Sequence, residues 1–485
     1  MPRLITRRLL LSSSALVAAG LALSPRDGFA AAAKPNIVFI LADDMGFADV
    51  GCYGRPDVKT PNIDRLAAQG TRFLQAYANS AVCSASRTAL MTGRYQYRLR
   101  VGLEEPISTF STFSVGLPPD HPTLPSLLKK AGYNTALVGK WHLGFLPDFG
   151  PLKSGYDHFY GYRSGGVDYF SHKASNHKLD LWDGDVTVDQ HGYLTDLLGV
   201  RSVELIDGFA KEGKPFLLSL HFSAPHWPWE APGDESEAQR LESRTLTSSD
   251  SGTQKTYVRM IEAMDIQIGK VMGALQTNGI ARDTIVIFTS DNGGERFADT
   301  WPFTGRKTEL LEGGLRIPAI MRWPGHVPAG KTSDQVAIHM DWLPTLLAAA
   351  GAVPDPAYPS DGIDLSPMLL HGAPPQPRKL FWRFKANAQR AARDGDYKIL
   401  KINENSFLFD VVADPMERAN LKDRHKEIYD RMAAEWNEWN ATMLTELRES
   451  STGSFGAATM ADHIGAKSAS GEVDSADGWP TAPVP

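Results

Sequence analysis

The chain is short of sulfur. Only Cys52 and Cys83 occur among 485 residues, which excludes a disulfide-built scaffold and leaves room for one bridge between them. Positive charge is not in excess either. Fifty Lys and Arg against 56 Asp and Glu give a formal net charge of −6, without the basic footprint of a nucleic-acid partner. Beyond residue 33 no apolar run approaches the length of a membrane span, and no internal repeat is evident. What is there, 42% hydrophobic and 22% charged residues, is the balance of a soluble globular enzyme.

The first residues read MPRLITRRLLLSSSALVAAGLALSPRDGFAAAAKPN. Arg3, Arg7 and Arg8 make a positive start. Leu9 to Leu23 is apolar but too short and too rich in Ser and Gly to span a bilayer, and alanines at 30–33 offer a cleavage site. The Arg7–Arg8 pair before leucines resembles a bacterial twin-arginine signal, which exports proteins already folded. An ordinary secretory signal with a chance Arg pair is the other reading. Both predict a periplasmic or secreted protein with residues 1–33 outside the fold.

Four short apolar runs bounded by turn residues read as buried parallel strands. They are NIVFILA (36–42), NTALVG (134–139), PFLLSLHFSA (215–224) and DTIVIFTS (283–290). Helical patterns intervene. TLPSLLKKAG precedes the second run, and Tyr257, Met260, Ile261, Met264, Ile268, Val271, Met272 and Leu275 recur at three-to-four spacing until Asn278-Gly279. This alternation predicts an α/β fold with a large, mainly parallel sheet sandwiched by helices.

Such sheets bind ligands beyond the carboxyl ends of their strands. There the runs deliver Asp43 and Asp44, Lys140 and His142, His226, and Asp291 and Asn292. One such end is an ordinary cap or turn; four together predict one site. Adjacent carboxylates in a shared site repel unless a cation holds them. Hard oxygen ligands favour Ca²⁺ or Mg²⁺ over zinc.

Cys83 stands before SASRTALM, which reads as a helix closed by Gly93. The thiol then sits at the helix N-terminus, where free N–H groups favour anions, and Arg87, one turn on, shares its face. A thiolate nucleophile suits that place, yet no Cys-His-Asn set accompanies it. The bridge to Cys52 is the structural alternative.

CSASRTALMTGR resembles the signature of the type I sulfatases, arylsulfatase-like members of the alkaline phosphatase superfamily. NIVFILADDMG, GKWHLG, APHWP, DNGG and TGRKTELLEGGLRIP follow in that family's order between residues 36 and 318. In the family the signature cysteine becomes formylglycine, whose hydrated aldehyde is the nucleophile. The resemblance therefore implies that a formylglycine-generating enzyme modifies Cys83. It implies Ca²⁺ bound by Asp43, Asp44, Asp291, Asn292 and the modified Cys83. It sets Arg87 on the formylglycine hydroxyls, and Lys140 and His142 against the hydrate and the sulfate. His226 and Lys307 fall near the ester oxygen that leaves, with His226 as its proton donor and His142 as the later base. Without the resemblance each histidine reads as a core or surface residue and each lysine as a solvated charge. Ala85 stands where the family most often has proline, and Arg306 adjoins Lys307, whose assignment rests on its spacing to Glu312–Gly314.

The implied substrate is an aryl or carbohydrate sulfate ester. Two alternatives stay open: a phosphonate monoester hydrolase or phosphodiesterase of the same superfamily, and a non-catalytic binding protein with a Cys52–Cys83 disulfide. Trp227 and Trp229 of HWPWEAP, and the 165–185 segment, are expected around the pocket, where the tryptophans either stack on a substrate ring or anchor the surface.

HMDWLPTLLAAAG (339–351) reads as a core helix, and Pro/Gly-rich stretches mark a boundary near residue 375. The catalytic α/β domain is thus expected over 34–375. A smaller α+β subdomain with a small antiparallel sheet and the terminal helix KEIYDRMAAEWNEWNATM is expected over 376–450. Within it RDGDYKIL and LFDVVADPMERANL resemble the family's C-terminal subdomain. Residues 451–485, rich in Gly, Ser and Ala, read as a flexible tail.

Overall fold

A computed structural model describes residues 34–111, 114–241 and 251–446. The export segment expected over 1–33 and the tail expected over 451–485 lie outside the described residues.

The four apolar runs are strands Asn36–Ala42, Asn134–Lys140, Phe216–His221 and Thr284–Ser290, adjacent and parallel at the centre of one ten-stranded sheet. Asn36–Ala42 lies between the other two long partners, Ile40 opposite both Leu220 and Phe288. Its alternate side chains enter different cores. Val38 and Ile40 face one side with Ile261, Met264 and Ile268, while Ile37, Phe39 and Leu41 face the other with Trp342 and Leu346. Both faces are covered, which is why the strand reads as an unbroken apolar run and not as an alternation.

The third strand stops at His221, three residues before the end of the apolar run. Phe222 to Ala224 still follow the sheet, Phe222 N–H donating to the Leu41 carbonyl at 2.9 Å, before the chain turns to His226. The sheet is mixed at its margins: Ala319–Arg322 runs antiparallel to Thr284–Ser290, and Trp182–Asp183 antiparallel to His158–Tyr162.

Helix Gln254–Thr277 carries the expected stripe, with Asn278 as its cap and Gly279 in the left-handed region. The core helix appears as Trp342–Ala350. Toward the C-terminus, strands Lys379–Phe384, Gln389–Asp394, Tyr397–Ile402 and Asn405–Asp410 form a four-stranded antiparallel sheet. Helix Lys426–Ala441 packs on one side of it through Tyr429, Met432 and Trp436. Leu380, Trp382 and Leu400 on the other side meet Val82, Ala85 and Ala89. The small sheet thereby shares one core with the Cys83 helix, and it bonds to the segments on either side of it, Trp382 Nε1 donating to the Ala78 carbonyl and Arg383 N–H to Tyr97 Oη.

Two glycines show how tightly the central strands approach. Gly139, φ +110°, lies opposite His221, and a Cβ there would fall 1.8 Å from the His221 carbonyl oxygen. Gly213 also has positive φ, but a Cβ there meets nothing within 4 Å. Gly139→Ala is therefore expected to cost at least about 3 kcal/mol or to block folding, and Gly213→Ala only about 1 kcal/mol. Urea denaturation of the two variants checks this; equal losses would contradict the close approach at Gly139.

Candidate active site

The carboxyl ends of the central strands meet the N-terminus of helix Cys83–Thr92, which Gly93 closes at φ +67° as its sequence requires. Every residue expected at the site is buried there: Asp43, Asp44, Cys83, Arg87, Lys140, His142, His226, Asp291, Asn292 and Lys307. Arg306 is exposed, whereas its neighbour Lys307 is buried.

Each of the three aspartates has a cation within hydrogen-bond reach. Lys140 Nζ donates to Asp43 Oδ2 at 2.6 Å and Lys307 Nζ to Asp44 Oδ2 at 2.6 Å. Arg87 donates through Nη2 and Nε to Asp291 Oδ2 at 3.0 and 3.2 Å. The carboxylates are also tied to one another, Asp44 N–H donating to Asp291 Oδ1 at 3.1 Å. Burial, and then Asp291, push Asp43 well above the usual carboxylate range despite Lys140 and Arg87. Burial acts the same way on Asp44, but Lys307 and His226 outweigh it and the net shift is downward.

The donor set fits a hard cation. The buried oxygens Asp43 Oδ1 and Asn292 Oδ1 have no hydrogen-bond partner, and Asn292 turns its Nδ2 to Asp44 Oδ1 at 2.8 Å. Ligand atoms of Asp43, Cys83 and Asp291 lie within 4.8 Å of one another. Two orphaned oxygens buried among carboxylates are costly unless a cation takes their lone pairs.

Cys52 and Cys83 are both free thiols, so the Cys52–Cys83 bridge kept open by the sequence does not form. Burial raises the Cys83 thiol above its ordinary value, against the pull of Lys140 and Lys307. The helix terminus alone does not make it a thiolate.

The two histidines present different nitrogens. His142, at φ +56°, engages the Ile107 carbonyl through Nε2 at 2.9 Å and leaves Nδ1 buried without a partner. His226 engages the Trp227 carbonyl through Nδ1 and turns Nε2 to Asp44 Oδ2 at 3.5 Å. Burial holds His226 down to about 3, although Asp44 pulls it up. Gly165 and Gly166 of the expected pocket segment lie against these rings: a Cβ at Gly165 would fall 2.8 Å from His142 Cε1, and one at Gly166 would fall 3.1 Å from His226 Cε1. Trp227 is half-buried with its ring 4.6 Å from that of His226. Trp229 is a core residue packed on Phe297 at 4.6 Å and not a wall of the pocket.

Three neighbours went unread in the sequence. Glu295 Oε2 lies 3.5 Å from Lys307 Nζ, its carboxyl raised by burial to about 7 although Lys307 pulls it down. It directly follows DNGG, yet a charged residue after two glycines looks like any solvated turn. His221 Nδ1 lies 3.3 Å from Arg87 Nη1, and His339 Nε2 lies 2.8 Å from the Ser290 carbonyl oxygen. Both come from apolar segments with no motif to mark them.

A sulfatase family profile matches residues 35–352, and one for the C-terminal part of N-sulphoglucosamine sulphohydrolase matches 305–442. N-acetylgalactosamine-6-sulfatase of Sus scrofa is 36% identical over 75% of this chain and 71% of its own. Arylsulfatase A of Homo sapiens is 34% identical over 80% and 79%. Among solved structures, Ps i-CgsB in complex with k-i-k-neocarrahexaose superposes with a TM-score of 0.75 at 34% identity, over 84% of this chain and 92% of that one. The phosphonate monoester hydrolase of Agrobacterium radiobacter, 21% identical with a TM-score of 0.60 over 84% and 96%, shares the fold.

Near His226, Glu230 is fully buried, its Oε2 accepting from Tyr169 N–H at 3.2 Å and its Oε1 unpartnered. Burial, and then Asp168, raise it from 4.5 to about 9. A carboxyl raised in the fold stabilises fully below its unfolded value and loses that contribution as pH rises through the folded one. Wild-type protein is therefore expected to lose melting temperature relative to Glu230→Gln between pH 4.5 and about 9. Thermal melts across that range check it, and a constant gap would contradict it.

Proposed function

This chain belongs to the sulfatase family, and we propose that it hydrolyses carbohydrate sulfate esters through a formylglycine made from Cys83, with Ca²⁺. It is a sulfuric ester hydrolase. The observation that carries the finer reading is the buried cluster around Cys83, in which three carboxylates, three cations and two unpartnered oxygens converge. The saccharide preference rests on the N-acetylgalactosamine-6-sulfatase relatives, on the neighbour holding a neocarrahexaose, and on half-buried Trp227 beside His226.

Asp43, Asp44, Asp291, Asn292 and residue 83 would hold the ion. Bound there, Ca²⁺ would supply positive charge against the sulfate anion. A hydrated formylglycine supplies one hydroxyl to attack sulfur and a second through which sulfate is expelled, an exit that a serine lacks. The chain's own residues do the rest. Arg87 and the free N–H groups at the start of its helix hold negative charge at residue 83. Lys140, fixed on Asp43, adds a cation where the sulfate oxygens lie. Lys307 and His226 converge on Asp44 Oδ2, and we assign both to the departing oxygen. The ammonium offsets its developing charge, and His226 Nε2 passes it the proton. His142 is the base on the other side, its Nδ1 lone pair being the one left open. Maturation would then need a formylglycine-generating enzyme, and the signal expected over residues 1–33 supports an activity in the periplasm or outside the cell.

Cys83→Ser is expected to give a single turnover and stop, because a serine sulfate has no second hydroxyl through which to break down. A burst of one product per enzyme, with a sulfated residue-83 peptide, is the readout; sustained turnover near the wild-type rate would overturn the nucleophile. Stripping the ion is expected to abolish activity and lower the melting temperature, and Ca²⁺ to restore both. A chelator-treated enzyme of unchanged activity and melting point would overturn the metal. On matched esters of one phenol, the sulfate is expected to turn over faster than the phosphonate. The reverse order would favour the phosphonate monoester hydrolase reading.

A further inference from the structure

Lys307 reaches Asp44 from a backbone of unusual shape. The next residue, Thr308, has φ +76°, a region that a β-branched residue occupies only where its surroundings over-determine it. Two of its restraints come from the site. Lys307 N–H donates to the Gly294 carbonyl at 2.9 Å, two residues beyond Asn292, and Thr308 N–H donates to the Ala81 carbonyl at 2.9 Å, two residues before Cys83.

The third comes from the small C-terminal sheet. Gln389, fully buried at the start of strand Gln389–Asp394, donates through Nε2 to the Thr308 carbonyl at 2.9 Å and accepts from Leu310 N–H through Oε1 at 2.8 Å. One carboxamide thus clamps the backbone on both sides of Glu309. Farther on, Glu312 is fixed by Lys398 Nζ on its Oε1 at 2.9 Å and by Glu417 Oε2 on its backbone N–H at 2.6 Å. With Glu312 pinned, a change of Thr308 to negative φ would have to be absorbed between residues 308 and 312 or by Lys307, and a shift of Lys307 would break its bond to Gly294 and carry its ammonium off Asp44.

We propose that Gln389 is a positioning residue for Lys307, holding Thr308 in its left-handed conformation and so keeping the ammonium at the departing oxygen. The role at the departing oxygen rests on the function proposed above; the coupling between the two residues does not.

The test is a double-mutant cycle on the mature enzyme, with aryl sulfates of graded leaving-group basicity. Gln389→Ala is expected to lower kcat about tenfold on the most basic leaving group, with little change in KM. In a Lys307→Ala background the same substitution is expected to cost less than about twofold, because it acts through a group already removed. Gln389→Glu keeps the acceptor for Leu310 N–H and the side-chain volume but loses the donor to Thr308. It is expected to reproduce the kcat loss if the alanine variant does not fold. Equal losses of kcat with and without Lys307 would overturn the proposal, as would a Gln389→Glu enzyme with wild-type kcat. If the cycle shows coupling but Lys307→Ala is equally slow on every leaving group, the positioning stands and the assignment of Lys307 to the departing oxygen falls.

Discussion

Three carboxylates from two strand ends share one buried volume, and the catalytic half of the molecule is arranged around their repulsion. Asp43, Asp44 and Asp291 each hold one cation within hydrogen-bond reach, Lys140, Lys307 and Arg87, and Glu295 adds a further acidic group beside Lys307. The cluster's oxygens are still not all satisfied. Removing one cation would leave an uncompensated charge in a medium of low dielectric, a far larger cost than losing a surface pair. In the function proposed above, an anionic ester would need the same cations as the carboxylates do, and a divalent ion on the carboxylates would free them to serve both.

Holding those groups together demands backbone shapes that an ordinary sheet does not use. Asp44, His142 and Thr308 all have positive φ, at +62°, +56° and +76°. Each lies in or beside the cluster, and each is held by hydrogen bonds that cross between elements. Strain of this kind persists where surrounding structure over-determines it. Here the surroundings include the C-terminal sheet, whose Trp382, Leu380 and Leu400 share a core with residues of the Cys83 helix and whose Gln389 clamps the turn after Lys307. The smaller sheet is part of the site's support although none of the ten residues expected at the site comes from it.

The central strands were legible because burial on both faces makes them continuous apolar runs, and their polar ends stood out against those runs. The sheet margins were not. Thr71–Phe73, Lys331–Ser333 and Trp182–Asp183 are too short to carry a period. At the site, the ten residues taken from motifs are all brought into one buried region, whereas Glu295, His221 and Gln389 owe their places to contacts across the fold that no local spacing encodes. Trp229 misled for the same reason. Its segment is rich in proline and aromatics, as pocket rims often are, and the residue that buries it, Phe297, is remote in sequence.

The chemical state of residue 83 decides the account. Peptide mass spectrometry of the active, mature protein, with occupancy compared against specific activity across preparations, measures it directly. An aldehyde is predicted at that position, the peptide having lost one sulfur and two hydrogens and gained one oxygen, with activity proportional to the converted fraction. Full activity in protein whose Cys83 remains a thiol would contradict the central claim.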